Sequence, residues 1–179
     1  MTQQPKNRLL MSRPNLSNIP ILPPLMPGYT LQPLHGEEAL ESLATTLSLA
    51  FDYPRNVNII RAKLLEAPDV KAVYVITWNN IVVATASSRY LPERFPDAGY
   101  VHWVGTHPGH VRKGLAWALA IHLLQDFASR HYKCAVLETE DFRIAAIKTY
   151  FKLGFIPVYD VLDEDHRDRW SAICQKLFV

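Results

Sequence analysis

Two stretches of the chain hold residue types whose spacing could do chemistry. The first runs Val104-Gly105-Thr106-His107-Pro108 and then Val111-Arg112-Lys113-Gly114-Leu115-Ala116, an extended segment that turns into the start of a helix. Small residues at such a junction let backbone N–H groups approach an anionic ligand at the positive end of the helix dipole. Arg112 and Lys113 add charge beside Gly114, and Ala116 keeps the first helical turn open to close contact. The chemistry on offer is phosphate binding. In the second stretch Glu138, Glu140 and Asp141 cluster where a predicted strand ends before a helix, the edge at which ligands enter open α/β sheets. Asp141 is expected to cap that helix by accepting an N–H from its first turn. Phe51-Asp52-Tyr53-Pro54-Arg55 mixes aromatic and charged groups in a predicted loop, and reads either as a solvated connection or as a reader of substrate.

Several other chemistries are set aside. The dinucleotide fingerprint GxGxxG and the phosphate loop GxxxxGK[ST] are absent. His102, His107 and His110 would need a strand, a turn and a loop to converge, with no carboxylate or cysteine following at short range, so no metal is expected. A net charge of +2, with no dense Lys/Arg run and no interleaving of aromatic and basic residues, argues against a nucleic-acid partner. No apolar stretch reaches about 18 residues without charge, so no membrane span is expected. Prolines interrupt the N-terminal segment where a secretory signal would need a continuous apolar run. Cys134 and Cys174 form no CxxC pair, which suits reduced thiols and a cytoplasmic protein.

The elements that must position these residues form one domain. At 179 residues and 49% hydrophobic content the chain can build one sizeable core. Residues 1–28 hold six prolines and are expected to be a flexible tail or an extended arm, lying on the domain or on a second subunit of a homodimer, and to form neither helix nor central strand. Residues 29–179 are read as the folded domain. Its predicted strands are Tyr29 to Leu34, Val70 to Thr77, Ile81 to Arg89, Gly99 to Thr106, Cys134 to Thr139 and Phe155 to Tyr159, with Trp78-Asn79-Asn80 as a hairpin turn. Helical spacing is found from about Glu37, from Val57 to Glu66, from Arg112 to Arg130 and from Ile144 to Leu153. Trp170, Ile173 and Leu177 are spaced for a C-terminal helix.

The two motif halves together resemble the GNAT superfamily of acyl-coenzyme A dependent N-acetyltransferases. Its strand V-x-V-x-P and its [QR]-x-x-G-x-[GA] helix start correspond to Val104–Pro108 and Val111–Ala116, with Val111 standing where the family usually has Gln or Arg. Ala146-Ile147-Lys148-Thr149-Tyr150-Phe151-Lys152-Leu153-Gly154-Phe155 is similar to the family's A-x-x-x-Y-x-x-x-G-F. The resemblance covers roughly residues 29 to 160. It implies an α/β fold of α+β type, with a central, mostly antiparallel, splayed sheet of six to seven strands flanked by about four helices. It implies acetyl-CoA as co-substrate and transfer of the acetyl group to a primary amine of a small molecule by direct attack on the thioester. A protein or peptide amine is the other acceptor, and a catalytically inactive coenzyme A-binding or interaction module is the other class of function.

On that resemblance Val104, Gly105, Thr106, Val111, Arg112, Lys113, Gly114, Leu115 and Ala116 bind the cofactor, with the Val104 N–H polarising the thioester carbonyl. Arg143, where many members have Asn, is assigned to cofactor phosphate. Tyr150 is the general acid. His102 is the leading base, since a histidine titrates near neutral pH and strand alternation would put it on the same face as Val104. A carboxylate or a water chain is the alternative to His102.

Overall fold

A computed structural model describes residues 8–159 and 164–178, so the first seven residues of the expected arm lie outside it. Seven strands form one mixed sheet: β1 Leu9–Arg13, β2 Tyr29–Pro33, β3 Val70–Trp78, β4 Ile81–Tyr90, β5 Ala98–Thr106, β6 Cys134–Thr139 and β7 Ile156–Val158. Their order across the sheet is β2-β3-β4-β5-β6-β1-β7. β5 and β6 run parallel and every other pair is antiparallel. Five α-helices flank the sheet: α1 Leu40–Phe51, α2 Val57–Ile60 continuing into a π-helical turn, α3 Leu115–Ser129, α4 Ile144–Lys152 and α5 Glu164–Phe178. The helix expected from the spacing of Trp170, Ile173 and Leu177 is α5.

The expectation for the N-terminal segment is overturned at Leu9–Arg13, whereas beyond it the chain is an extended arm whose Ile19, Leu22 and Leu25 pack on the domain core. Leu9–Arg13 is a central strand, paired with β6 through Leu9↔Thr139 to Arg13↔Ala135 and with β7 through Leu10↔Val158 to Ser12↔Ile156. The described prolines of the segment all follow it, from Pro14 onward. Leu9 and Met11 are completely buried, which anchors this strand as firmly as any other in the sheet. Prolines appear instead where the sheet has edges, Pro33 on β2 and Pro157 on β7, positions at which a missing N–H costs no ladder bond.

Each face of the sheet has its own core. α3, α4, α5 and β1 close one around Phe127, Leu119, Phe155 and Trp170, while α1 and α2 close the other around Leu40, Leu43, Leu47 and Ile60. The hairpin between β3 and β4 is made by Asn79 and Asn80, both at positive φ (49° and 64°), the backbone of a type I′ turn that matches strand twist.

The Y-x-x-x-G-F spacing has a local physical cause. Gly154 sits at φ 81° just past α4, the Phe155 N–H donates to the Tyr150 carbonyl, and the Gly154 N–H donates to the Phe151 carbonyl. This Schellman ending needs a residue that tolerates the left-handed region, and it locks Tyr150 one turn before the stop.

Candidate active site

β5 and β6 pair only from Ala98↔Cys134 to Val101↔Leu137, and beyond Val101 the two strands part. The wedge between them holds a cavity of about 200 Å³, bordered by Tyr100 to Val104 on one side and Leu137 to Glu140 on the other. It passes through the sheet, from Phe51 and Arg55 on the α1 side to Ala146 and Tyr150 of α4. The His107 N–H donates to the Val83 carbonyl at 2.8 Å and Gly105 pairs with Thr85. Ladder alternation then turns the N–H groups of Thr106 and Val104 away from β4, toward the side that β6 has left.

A bulge shapes the middle of β5. Thr85 faces Gly105 but Ser87 faces His102, so β5 carries one extra residue there, and Trp103 takes φ 45°. This corrects the expectation that His102 and Val104 share a face. His102 lies beside Tyr100, ring centroids 6.2 Å apart, whereas Val104 packs on the core beneath α3 and α4. The bulge also stacks the Trp103 ring on His102, centroids 4.9 Å apart and planes 18° apart.

His102 is fixed by Ser87, whose hydroxyl oxygen lies 2.9 Å from His102 Nδ1 and 3.0 Å from the His102 carbonyl oxygen. A hydroxyl has one proton. If it donates to the carbonyl, it must accept from an Nδ1–H, which leaves the lone pair on Nε2. Burial, followed by the charges of Arg89, Arg8 and Arg55, pushes the imidazole pKa down to about 3, so His102 is neutral and, contrary to the expectation from its residue type, does not titrate near neutral pH. Tyr150 is pushed the other way: burial raises its phenol to about 12, so it keeps its proton.

The acidic residues of the site are all engaged. Burial works to raise the Glu138 carboxyl, but hydrogen bonds from Arg94 and from the Tyr100 hydroxyl at 2.8 Å more than offset it and leave it lowered. Glu140 pairs with Arg143 and lies 3.6 Å from Arg8. Asp141 does not cap α4, which begins without a side-chain cap; it binds Arg169 of α5 at 2.6 and 2.9 Å. A buried guanidinium is a stronger claim on a carboxylate than one exposed N–H.

The residues assigned to the cofactor fall into three groups. Val104, Gly105 and Thr106 lie on β5 beyond the parting of the strands. Val111 to Ala116 lie where α3 begins, with Arg112 at φ 61° and Gly114 at φ 75°. That is why α3 starts at Leu115 rather than at Arg112. The end of α3 has neither a side-chain cap nor an acidic residue in its first turn, and a Cβ at Gly114 would meet nothing within 4 Å. An open, uncapped N-terminus beside Arg112 and Lys113 fits the phosphates of a coenzyme A. Leu115 is buried and can offer only its backbone, whereas Val111 is 47% exposed. Arg143 lies apart from this loop. It borders the cavity, ion-paired to Glu140 and 4.6 Å over the Phe51 ring.

His107 and His110 lie near each other, centroids 5.7 Å apart, and His110 Nδ1 is 2.8 Å from the Tyr29 hydroxyl. Among the described residues no three metal-ligating side chains gather, and no helix is long and apolar enough to cross a membrane. Sequence reasoning passed over three residues of the cavity: Arg8 ahead of β1, Tyr100, and Trp103, whose role depends on a bulge that no Gly or Pro announces.

Solved structures share this architecture. A GNAT-family protein from Novosphingobium aromaticivorans superposes with a TM-score of 0.61 at 24% identity, over 84% of this chain and 59% of its own length. The chain thus spans about three fifths of that protein. The ribosomal-protein-S18-alanine N-acetyltransferase of Escherichia coli gives 0.62 at 21% identity, over 73% of this chain and 79% of its own. A transcriptional regulator from Bacillus halodurans gives 0.63 at 19%, over 75% and 97%. At such identities the likeness establishes the fold alone. No curated protein matches the sequence. The sequence profile of the Acetyltransferase (GNAT) family matches residues 38–155. That match spans α1 to α4, the splayed pair of strands and the uncapped start of α3, and the chain belongs to the Acetyltransferase (GNAT) family.

Proposed function

We propose that the protein moves an acetyl group from acetyl-CoA to a primary amine of a small molecule by direct attack of the amine on the thioester. The observation that carries this reading is the wedge between β5 and β6, which opens one cavity to the Val104 strand, to His102 and to Tyr150 at once. Arg112, Lys113 and the first-turn N–H groups of α3 would hold the phosphates, and bound acetyl-CoA supplies the activated acyl group. The Val104 N–H would polarise the thioester carbonyl. As the N–C bond forms and the C–S bond breaks, His102 Nε2 takes the proton of the attacking nitrogen and Tyr150 gives its proton to the departing sulfur. Solvent then restores both.

The low proton affinity of His102 suits the reaction in one respect. Burial and the surrounding arginines, which disfavour the imidazolium, would likewise disfavour the ammonium form of an amine placed beside it and leave the free base that must attack. The cavity volume, below the roughly 300–1,000 Å³ of drug-sized sites, favours a small acceptor over a folded protein surface. The S18-alanine enzyme shows that the same fold can serve a protein amine, so a peptide amine is the second acceptor class.

Release of free thiol from acetyl-CoA across a panel of small amines and one N-terminal peptide tests the reading. Turnover on small amines is expected. Coenzyme A binding with no turnover on any amine would instead identify a binding module.

A further inference from the structure

Arg55 projects into the cavity from the loop after α1, and among the described residues it forms no ion pair. Every other charge bordering the cavity is matched. Glu138 is held by Arg94 and Tyr100, and Glu140 by Arg143 and Arg8. With Arg94 counted, four arginines meet two glutamates at the cavity, and Arg55 is the arginine among them that touches no carboxylate of the described residues.

Its guanidinium is built into place. Nη1 donates to the carbonyls of Leu47 and Tyr53 at 3.1 and 3.0 Å, and Cζ lies 4.9 Å from the centroids of both Phe51 and Trp103. Aromatic faces hold a guanidinium without neutralising it, and carbonyls engage one nitrogen while the rest of the fork stays available. Burial works first against this charge, Tyr53 partly offsets it, and nearby Arg143 adds to the cost. The Trp103 ring centroid lies 4.9 Å from both the Arg55 guanidinium carbon and the His102 ring centroid, so the two groups are at most the sum of those distances apart, a span that a short skeleton with a hydrogen bond at each end can bridge. A simple alkylammonium entering here would meet an excess of positive charge. A skeleton that carries its own anion would not.

We propose that the acceptor is a short primary amine bearing an oxyanionic group, carboxylate or phosphate, and that Arg55 binds that group while the amine reaches His102. This rests on the acyltransferase reading above, and it adds the substrate class.

Length-matched acceptors test it: β-alanine against propylamine, and phosphoethanolamine against ethanolamine, each with acetyl-CoA and thiol release as readout. At least one anionic member is expected to exceed its neutral partner at least tenfold in kcat/KM, and the pair that shows the gap names carboxylate or phosphate as the anion. Arg55→Gln should bring that ratio to about one, Arg55→Lys should restore part of it, and Arg55→Glu should shift preference toward 1,3-diaminopropane. A ratio taken within one preparation is insensitive to the fraction folded. Equal turnover of neutral and anionic partners overturns the inference and leaves the acyltransferase standing. If no amine is turned over, calorimetric titration of the coenzyme A-loaded protein decides. Binding of β-alanine or phosphoethanolamine that is lost in Arg55→Gln supports the anion site, and no binding, or binding that survives the substitution, overturns it.

Discussion

The loop that opens α3 and the cavity between β5 and β6 are built in opposite ways. The loop is a single run, Val111 to Ala116, that presents backbone N–H groups and open space. The cavity gathers side chains from the segment before β1, from the end of α1 and its following loop, from β5 and β6, and from α4. A phosphate needs only donors and a dipole, which a helix start can provide, so on the proposed function a departure such as Val111 would cost the loop little. An acceptor must be told apart from its neighbours, and that takes charges and rings at fixed distances from several elements. The difference teaches that a phosphate-binding loop can be written in one segment, whereas a site that tells acceptors apart must be spread over the fold.

Substitutions can separate the two regions. The largest effect is expected at the cavity: Tyr150→Phe should lower kcat by about 10²- to 10⁴-fold. Affinity for acetyl-CoA, measured by equilibrium titration, should stay near wild type. Undiminished turnover would remove Tyr150 from the chemistry. The next tests the loop. Gly114→Val meets no steric neighbour, but it forces a β-branched residue into the left-handed region at about 1–2 kcal/mol. The acetyl-CoA KM should rise roughly 5- to 30-fold with kcat at saturation nearly unchanged. A loss confined to kcat would assign the loop to the wrong end of the reaction.

The smallest effect concerns His102 and is read in stability. Its pKa falls from an ordinary 6.5 to about 3, so between those values the unfolded chain binds a proton that the native protein does not. Stability should therefore rise with pH across that window, and be lost as pH falls from 6.5 toward 3. His102→Gln should flatten this slope when urea midpoints at pH 4.5 and pH 7 are compared. An unchanged slope would mean that His102 is not buried in its neutral form.

Local rules reached much of this molecule. The Asn79-Asn80 turn, β6 and the Schellman ending at Gly154 follow from a few consecutive residues, and the expected and observed elements coincide there. Long-range competition defeated the same rules elsewhere. Asp141 has the sequence of a cap, yet Arg169, distant in the chain, takes its carboxylate. Leu9, Met11 and Arg13 alternate as a strand should, but counting prolines over 28 residues hid a proline-free run that ends at Arg13. The Trp103 bulge leaves no mark at all. Alternation through residues 98 to 106 looks unbroken, and only the register against β4 shows that His102 and Val104 face opposite ways. The Arg55, Phe51 and Trp103 cluster was half visible as a loop of mixed character, because its partners come from β5.

The place of β1 governs the order in which the molecule can be assembled. Its neighbours in the sheet are β6 and β7, so a strand made before the other strands of the sheet has nothing to pair with until β6 and β7 have followed. Until then the rim of β6 is an unprotected edge, and closing it demands contacts of very high sequence separation, the kind that slow folding. Because Arg8 precedes β1 and borders the cavity, the pairing of β1 with β6 also completes the wall of the site.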